Sequence, residues 1–212
     1  AEYSRSISEI KDEVYSLTEQ GVCEVTLLGQ NVNSWHGEDT KGNSKGLAHL
    51  IYEISNIEKI KRIRYTTSHP LDMDQDLILA HKSIKKLMPY LHLPIQSGSD
   101  KILSSMNRRH TAKQYIQIIE KIRKVNPDIA LSGDFIVGYP GESDKDFNDT
   151  IELIKHVEYS QSYSFKYSTR PGTPASVLEQ QIPEIIKKKR LSILQEVLFS
   201  QQSKFNSKFV GK

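Results

Sequence analysis

The feature that most constrains this chain is a regular alternation between segments of helical period and apolar runs too short to be helices. Ile7, Ile10, Val14 and Leu17 recur on one helical face. Ser6, with Glu9 three residues on, makes a capping box in front of them. Gly21 stops this helix, and residues 22–28 form a strand-like run. The spacing then predicts a helix over 47–55, a strand over 60–66, a helix over 75–87 and a strand over 90–95. Thr111 and Gln114 form a second capping box ahead of Tyr115, Ile118, Ile119, Ile122 and Val125. Residues 129–137 follow as a strand. Ser143 and Asp146 open a helix that carries Phe147, Ile151, Ile154 and Val157, and 162–167 reads as the last strand. Beyond Pro183, which suits a first helical turn, one long helix is expected. This order implies α/β architecture, a parallel sheet with helices packed outside it. A closed eight-unit barrel needs about 250 residues. With 212 residues, an open, partial TIM-like barrel with a C-terminal helix is the expectation.

Composition narrows the class. Hydrophobic residues at 37% and charged residues at 26% supply a packed core and argue against disorder. No apolar run approaches the ~20 residues that span a bilayer, and the polar opening does not read as a signal peptide. A cytosolic protein with no membrane partner is expected. The net charge of +3 permits a nucleic-acid partner without establishing one. The single cysteine, Cys23, excludes a disulfide framework or a multi-cysteine metal site within the chain. Its neighbours predict a small buried residue on a strand.

Polar, glycine-rich stretches recur after the strands, where parallel αβ folds gather ligand sites. In Gly29-Gln30-Asn31-Val32-Asn33 the amides of Gln30 and Asn31 can bond both the ammonium and the carboxylate of an amino acid; the plainer reading is a turn that Asn tolerates. Thr67 and Ser68 open a second rim loop. In His92-Leu93-Pro94-Ile95-Gln96-Ser97-Gly98-Ser99-Asp100, Gln96 and Ser97 can bond ribose hydroxyls, with Gly98 allowing close approach. His92 reads as a satisfied interior histidine. The run from Asp134 through Ile136, Val137 and Gly138 to Glu142 offers an apolar strand end on which an adenine can lie, although short glycine motifs also match by chance. Basic clusters at 59–64, at Arg108-Arg109-His110 and at 187–190 are most simply solvated surface. Arg108, Arg109, Lys187 and Lys188 are the candidate RNA contacts.

Taken in order, these strings resemble the radical S-adenosylmethionine methylthiotransferases. Glu2-Tyr3-Ser4-Arg5-Ser6, Met106-Asn107-Arg108 and Ser168-Thr169-Arg170-Pro171-Gly172-Thr173-Pro174 complete the set, which covers nearly the whole chain. The 30–33 and 67–70 loops look like the branch that acts on isopentenyladenosine in tRNA. The resemblance implies a radical SAM partial barrel over 1–180, lacking its first strand, with 181–212 a helix leading to a β-barrel RNA-binding domain. It implies S-adenosylmethionine as cofactor, with Gln30, Asn31, Thr67, Ser68, Gln96, Ser97, Asp134, Ile136, Val137 and Gly138 as its site. It also implies [4Fe–4S] clusters whose cysteine ligands are absent from this sequence, a tRNA substrate, and an electron donor and sulfur source that the residues do not identify. In the family, a 5′-deoxyadenosyl radical removes hydrogen from C2 of the adenine and a methylthio group is inserted. A chain without the cluster ligands is expected to be inactive alone. Three alternatives stay open: action on threonylcarbamoyladenosine, a non-catalytic tRNA-binding relic, and a phosphate-holding αβ-barrel enzyme. The carboxylate of Glu142, where a phosphate would sit, counts against the last.

Overall fold

The Ser6 capping box forms as its sequence demands. The Ser6 hydroxyl accepts the Glu9 N–H, and the Glu9 carboxylate accepts the Ser6 N–H. This starts α1 (Ile7–Glu19), whose buried side carries Ile7 and Val14. Gly21 ends it at φ 91°, a conformation that favours glycine. The computed structural model describes residues 3–39, 41–66 and 68–211. They divide into two compact units, one of residues 1–92 with Glu120–Ile129, the other of Leu93–Ile119 with the chain from Ala130 on.

In the first unit, β1 (Glu24–Leu27) pairs in parallel with β4 (Arg62–Tyr65), Val25 opposite Ile63. Leu87 bridges Ile63 on the other side of β4, also in parallel. Between β1 and β4 lie a hairpin, β2 (His36–Glu38) with β3 (Ser44–Gly46), and α2 (Leu47–Ser55). The helix α3 (Gln75–Ser83) starts on Asp74, whose carboxylate accepts the Leu77 N–H at 2.7 Å. β5 (Tyr90–His92) closes the unit's strands. Leu50, Ile51, Ile54, Ile60, Ile63 and Leu77 are its buried centre, each such side chain contributing ~1.5–3 kcal/mol when fully removed from water.

The second unit is built on β6 (Ala130–Val137), paired in parallel with β7 (Gln161–Lys166), Asp134 opposite Tyr163 and Ile136 opposite Phe165. On the other edge of β6, Leu93 N–H donates to Ser132 and Gln96 N–H to Asp134. A short helix, α4 (Asp100–Ser105), follows the Ser99 cap. α5 (Ala112–Val125) starts on the Thr111–Gln114 box. α6 (Asp144–Val157) starts on the Ser143–Asp146 box and buries Phe147, Ile151, Ile154 and Val157. After Pro183, α7 (Glu184–Ser207) packs on β7, β6 and α6 with Leu194 and Leu198 inward. Ser162 and Ser164 alternate along β7 with Tyr163 and Phe165, whose rings stay exposed.

Three expectations need correcting, and one element is additional. Cys23 is exposed and precedes β1; its carbonyl, accepting the Lys61 and Arg62 N–H groups, is what joins the sheet. The third helix ends at Ser83, because the chain then turns so that Lys86 and Met88 can bond Ile63. The strand expected over 90–95 stops at His92; Pro94 has no N–H to donate, so pairing beyond it is intermittent. The hairpin of β2 and β3 was not expected at all. It turns on Asp39, whose carboxylate accepts the Lys41 and Asn43 N–H groups. Those bonds, that from Asn43 first, hold the Asp39 carboxyl at about 2.

Candidate functional site

In the first unit the two strand-end loops are stapled together. The Asn33 side-chain amide donates to the His69 carbonyl at 2.9 Å and accepts the His69 N–H at 2.8 Å. Asn31 Nδ2 donates to the Asp72 carboxylate at 2.5 Å. An amide is suited to this because it donates and accepts at once. Asn33 carries the staple, and no local sequence signal sets it apart from Gln30 and Asn31, because its partner His69 lies 36 residues on. Within this clamp, Asn31 Oδ1 and Ser68 Oγ are buried and have no hydrogen-bond partner among the described residues. Such atoms cost ~1–3 kcal/mol unless something meets them. Gln30 lies beside them, exposed. Thr67 lies outside the described residues.

In the second unit the polar groups of the 97–99 loop are used up internally. The Ser97 hydroxyl is fully buried, 3.2 Å from the Thr150 hydroxyl, and accepts the Ser99 N–H. Gly98 N–H donates to Thr150 Oγ1 at 2.9 Å. Gly98 is required there, because a Cβ would stand 2.5 Å from the Asp149 carbonyl oxygen and 2.6 Å from Thr150 Cα. Ser99 Oγ donates to Asp146 at 2.6 Å. Burial pushes the Asp146 carboxyl up, but hydrogen bonds from Ser143, Ser99 and Lys101 outweigh it and hold it well below the usual range. The structure therefore gives Ser97 a loop-docking role, not an open hydroxyl.

Gln96 differs from its neighbours. It sits at φ 80°, left-handed backbone for a non-glycine residue, which costs on the order of 1–3 kcal/mol and clusters at ligand sites. Its N–H and carbonyl are tied to Asp134 and Ile136 of β6. Asp134 and Ile136 are half-buried on one face of that strand, whereas Phe135 and Val137 are fully buried on the other. Of the expected adenine seat, Ile136 thus lies on the half-buried face and Val137 faces the core. Arg108 is half-buried; burial pushes its pKa down against the opposing attraction of Asp134.

The strand end itself is held from outside. Gly138 has φ 71°, and a Cβ on it would meet Lys187 Cγ at 2.5 Å. Glu142 Oε2 accepts the Gly138 N–H at 2.7 Å and pairs with Arg190 at 2.7 Å. Burial pushes the Glu142 carboxyl up, against the pull of those two donors. Lys187, expected as a phosphate contact, is buried, with its ammonium 3.3 Å from the Tyr167 carbonyl and over the Tyr167 ring. Lys188 and Arg109 are exposed.

An α/β chain with open parallel strands defines the fold class, and comparison with known proteins agrees. The chain belongs to the radical SAM superfamily, whose model matches residues 1–154. It is 57% identical, over all 212 residues, to tRNA-2-methylthio-N(6)-dimethylallyladenosine synthase of Agrobacterium fabrum (strain C58 / ATCC 33970), of which it covers 47%. It thus spans about half the length of that relative. Among solved structures it resembles coproporphyrinogen III oxidase of Escherichia coli, a radical SAM enzyme (TM-score 0.61, 13% identity, 92% of this chain and 45% of that one). It also resembles methylornithine synthase (TM-score 0.56, 14% identity, 92% and 54%). At these identities the structures speak for the fold alone. It is the partial-barrel fold expected from the sequence.

The two implied cofactors fare differently. The orphaned Asn31 and Ser68 atoms of the first unit suit the polar amino-acid end of S-adenosylmethionine; in the second unit, the left-handed Gln96 is a separate point of backbone strain. An iron–sulfur cluster does not fit this chain's own residues: Cys23 is its single cysteine, and no group of His, Cys, Asp and Glu among the described residues can hold a metal.

Proposed function

We propose that this chain is the S-adenosylmethionine-binding part of a radical enzyme that methylthiolates C2 of N6-isopentenyladenosine in tRNA. The observation that carries the cofactor reading is the stapled loop pair, with Asn31 Oδ1 and Ser68 Oγ buried and unpartnered among the described residues. In this reading Gln30, Asn31 and Ser68 receive the methionine end, with Thr67 beside them. Gln96 receives the ribose, and Ile136 with Gly138 the adenine. Asp134 stands next to the ribose. Ser97 and Val137 set the loop and the strand end from behind. When bound, the cofactor supplies the one-electron chemistry that opens a C–H bond; the residues named here bind it, orient it and exclude water.

The substrate reading is supported by the likeness to the tRNA-2-methylthio-N(6)-dimethylallyladenosine synthase of Agrobacterium fabrum and by the 30–33 and 67–70 loops. A rim pocket gains ~0.8 kcal/mol for each buried CH₂ of an isoprenoid arm. Arg108, Arg109 and Lys188 add salt-sensitive attraction to tRNA phosphates. Among the described residues no helix is long and apolar enough to cross a membrane, and a cytoplasmic site of action is part of the proposal. The test supplies the full-length protein with tRNAs carrying isopentenyladenosine, threonylcarbamoyladenosine or neither, and reads the nucleosides by mass spectrometry. Methylthiolation of isopentenyladenosine is expected. Methylthiolation of threonylcarbamoyladenosine alone would move the protein to another branch.

A further inference from the structure

One buried ion pair in the second unit has no part in the binding roles above. Arg190, on α7, and Glu142, after β6, are both nearly excluded from solvent. The Arg190 guanidinium donates to the Glu142 carboxylate at 2.7 Å, to the Glu142 carbonyl at 3.0 Å and to Asp144 at 2.7 Å. It also lies over the Phe147 ring, 5.6 Å from its centre. The decisive detail is that one carboxylate oxygen, Oε2 of Glu142, takes both Arg190 and the Gly138 N–H. A buried charge pair is weak evidence for stability but a strict geometric constraint, because removing one partner strands the other. A second tie lies one turn earlier on the helix. The aliphatic stem of Lys187 fills the space where a Gly138 side chain would stand, and its ammonium reaches the Tyr167 carbonyl. A third precedes the helix, where Gly141 N–H donates to the Gln180 carbonyl at 2.8 Å.

We propose that Arg190 is a positioning residue for nucleoside binding: through the shared Glu142 oxygen it fixes the Gly138 end of β6, making α7 a working part of the cofactor site. The inference rests on the reading of Ile136 and Gly138 as the adenine seat. It assigns a function at the cofactor site to a helix that the sequence offered as a lead into an RNA-binding domain, with Lys187 and Lys188 as RNA contacts. Arg190 touches no ligand; it acts by fixing the direction of the main chain that does.

The experiment compares wild type, R190M, R190K, E142Q and the double variant E142Q/R190M. It measures S-adenosylhomocysteine binding by equilibrium dialysis and Gly138 amide exchange by NMR, with thermal melts run alongside. R190M leaves a buried carboxylate alone and should weaken binding about tenfold while speeding Gly138 exchange by a similar factor. R190K should lie between R190M and wild type. The double variant should recover most of the affinity, because the neutral amide oxygen that E142Q introduces still accepts the Gly138 N–H; a generic packing defect would not be rescued this way. If R190M does not fold, R190K against wild type carries the same comparison at smaller amplitude. Wild-type affinity and exchange in R190M would overturn the proposal, as would a double variant no better than R190M. Failure of the wild type to bind the nucleoside, with Gly138 still freed in R190M, would sink the cofactor reading while leaving the clamp.

Discussion

The strand-end loops of the two units use the same residue types to opposite ends. In the first unit, Asn31 and Ser68 keep buried polar atoms that no described residue satisfies. In the second, Ser97, Ser99, Thr150 and Asp146 satisfy one another in a closed network. A hydroxyl at a strand end is thus no guide to ligand contact until its partners are known. The first arrangement leaves polar atoms open at a cost in stability, as the proposed binding role requires, and the second uses its polar groups to hold a loop to a helix.

The most severe way to break this contrast is to pry the second network open. G98A puts a methyl into the backbone of Asp149 and Thr150, and we expect a loss of about 3 kcal/mol or more, read as a lower urea midpoint. A loss under ~1 kcal/mol would mean the loop is not held as described. N33A attacks the first unit's staple and removes both of its bonds to the His69 main chain. About 2–3 kcal/mol should go, and S-adenosylhomocysteine affinity with it, because the loops no longer hold each other.

A pH test sharpens the picture of the first unit's interior. Burial lowers the His81 pKa to about 4, and its Nε2 lies 2.7 Å from the Tyr65 hydroxyl. Between pH 6.5 and about 4 the unfolded chain takes up a proton that the folded one refuses, so stability falls as pH drops through that window. The change should approach ~2–3 kcal/mol. H81Q should flatten that part of the stability profile, and an unchanged slope would remove histidine as its source.

The smallest expected changes in stability are the most discriminating. S97A should cost about 1 kcal/mol through the lost loop bonds. S68A removes a buried, unpartnered hydroxyl and should raise stability by about 1 kcal/mol, yet weaken S-adenosylhomocysteine binding several-fold. If S68A destabilises the fold as much as S97A and binds normally, the contrast between the loops is wrong.

Much of this was legible in the sequence, and the pattern of success has a physical basis. The Ser6, Thr111 and Ser143 boxes are local interactions over three residues, and all three form. The apolar faces of α1, α5 and α6 follow from period alone. The hairpin at 36–46 was invisible because its strands are three residues each and carry no apolar alternation. Its only hint was Gly42-Asn43 after a charged run. The staple by Asn33 and the pair Arg190–Glu142 join positions 36 and 48 apart, and no local rule reports such partners. Lys187 and Arg190 read as surface because their class usually is. Their long stems and the small Gly138 beneath made burial possible.

Gln201 on α7 has a consequence for how the second unit comes apart. Its Nε2 donates to the Ile154 carbonyl at 2.8 Å, and its Oε1 accepts the Tyr159 N–H at 2.9 Å. One side chain therefore closes both sides of the left-handed corner at Glu158, where α6 gives way to β7. Peeling α7 away would strip that corner of both bonds at once. The last helix should accordingly leave in the same step as the α6–β7 corner, not fray ahead of it. The Tyr159 amide should exchange with solvent as slowly as those of β6, on the clock of the unit's whole opening.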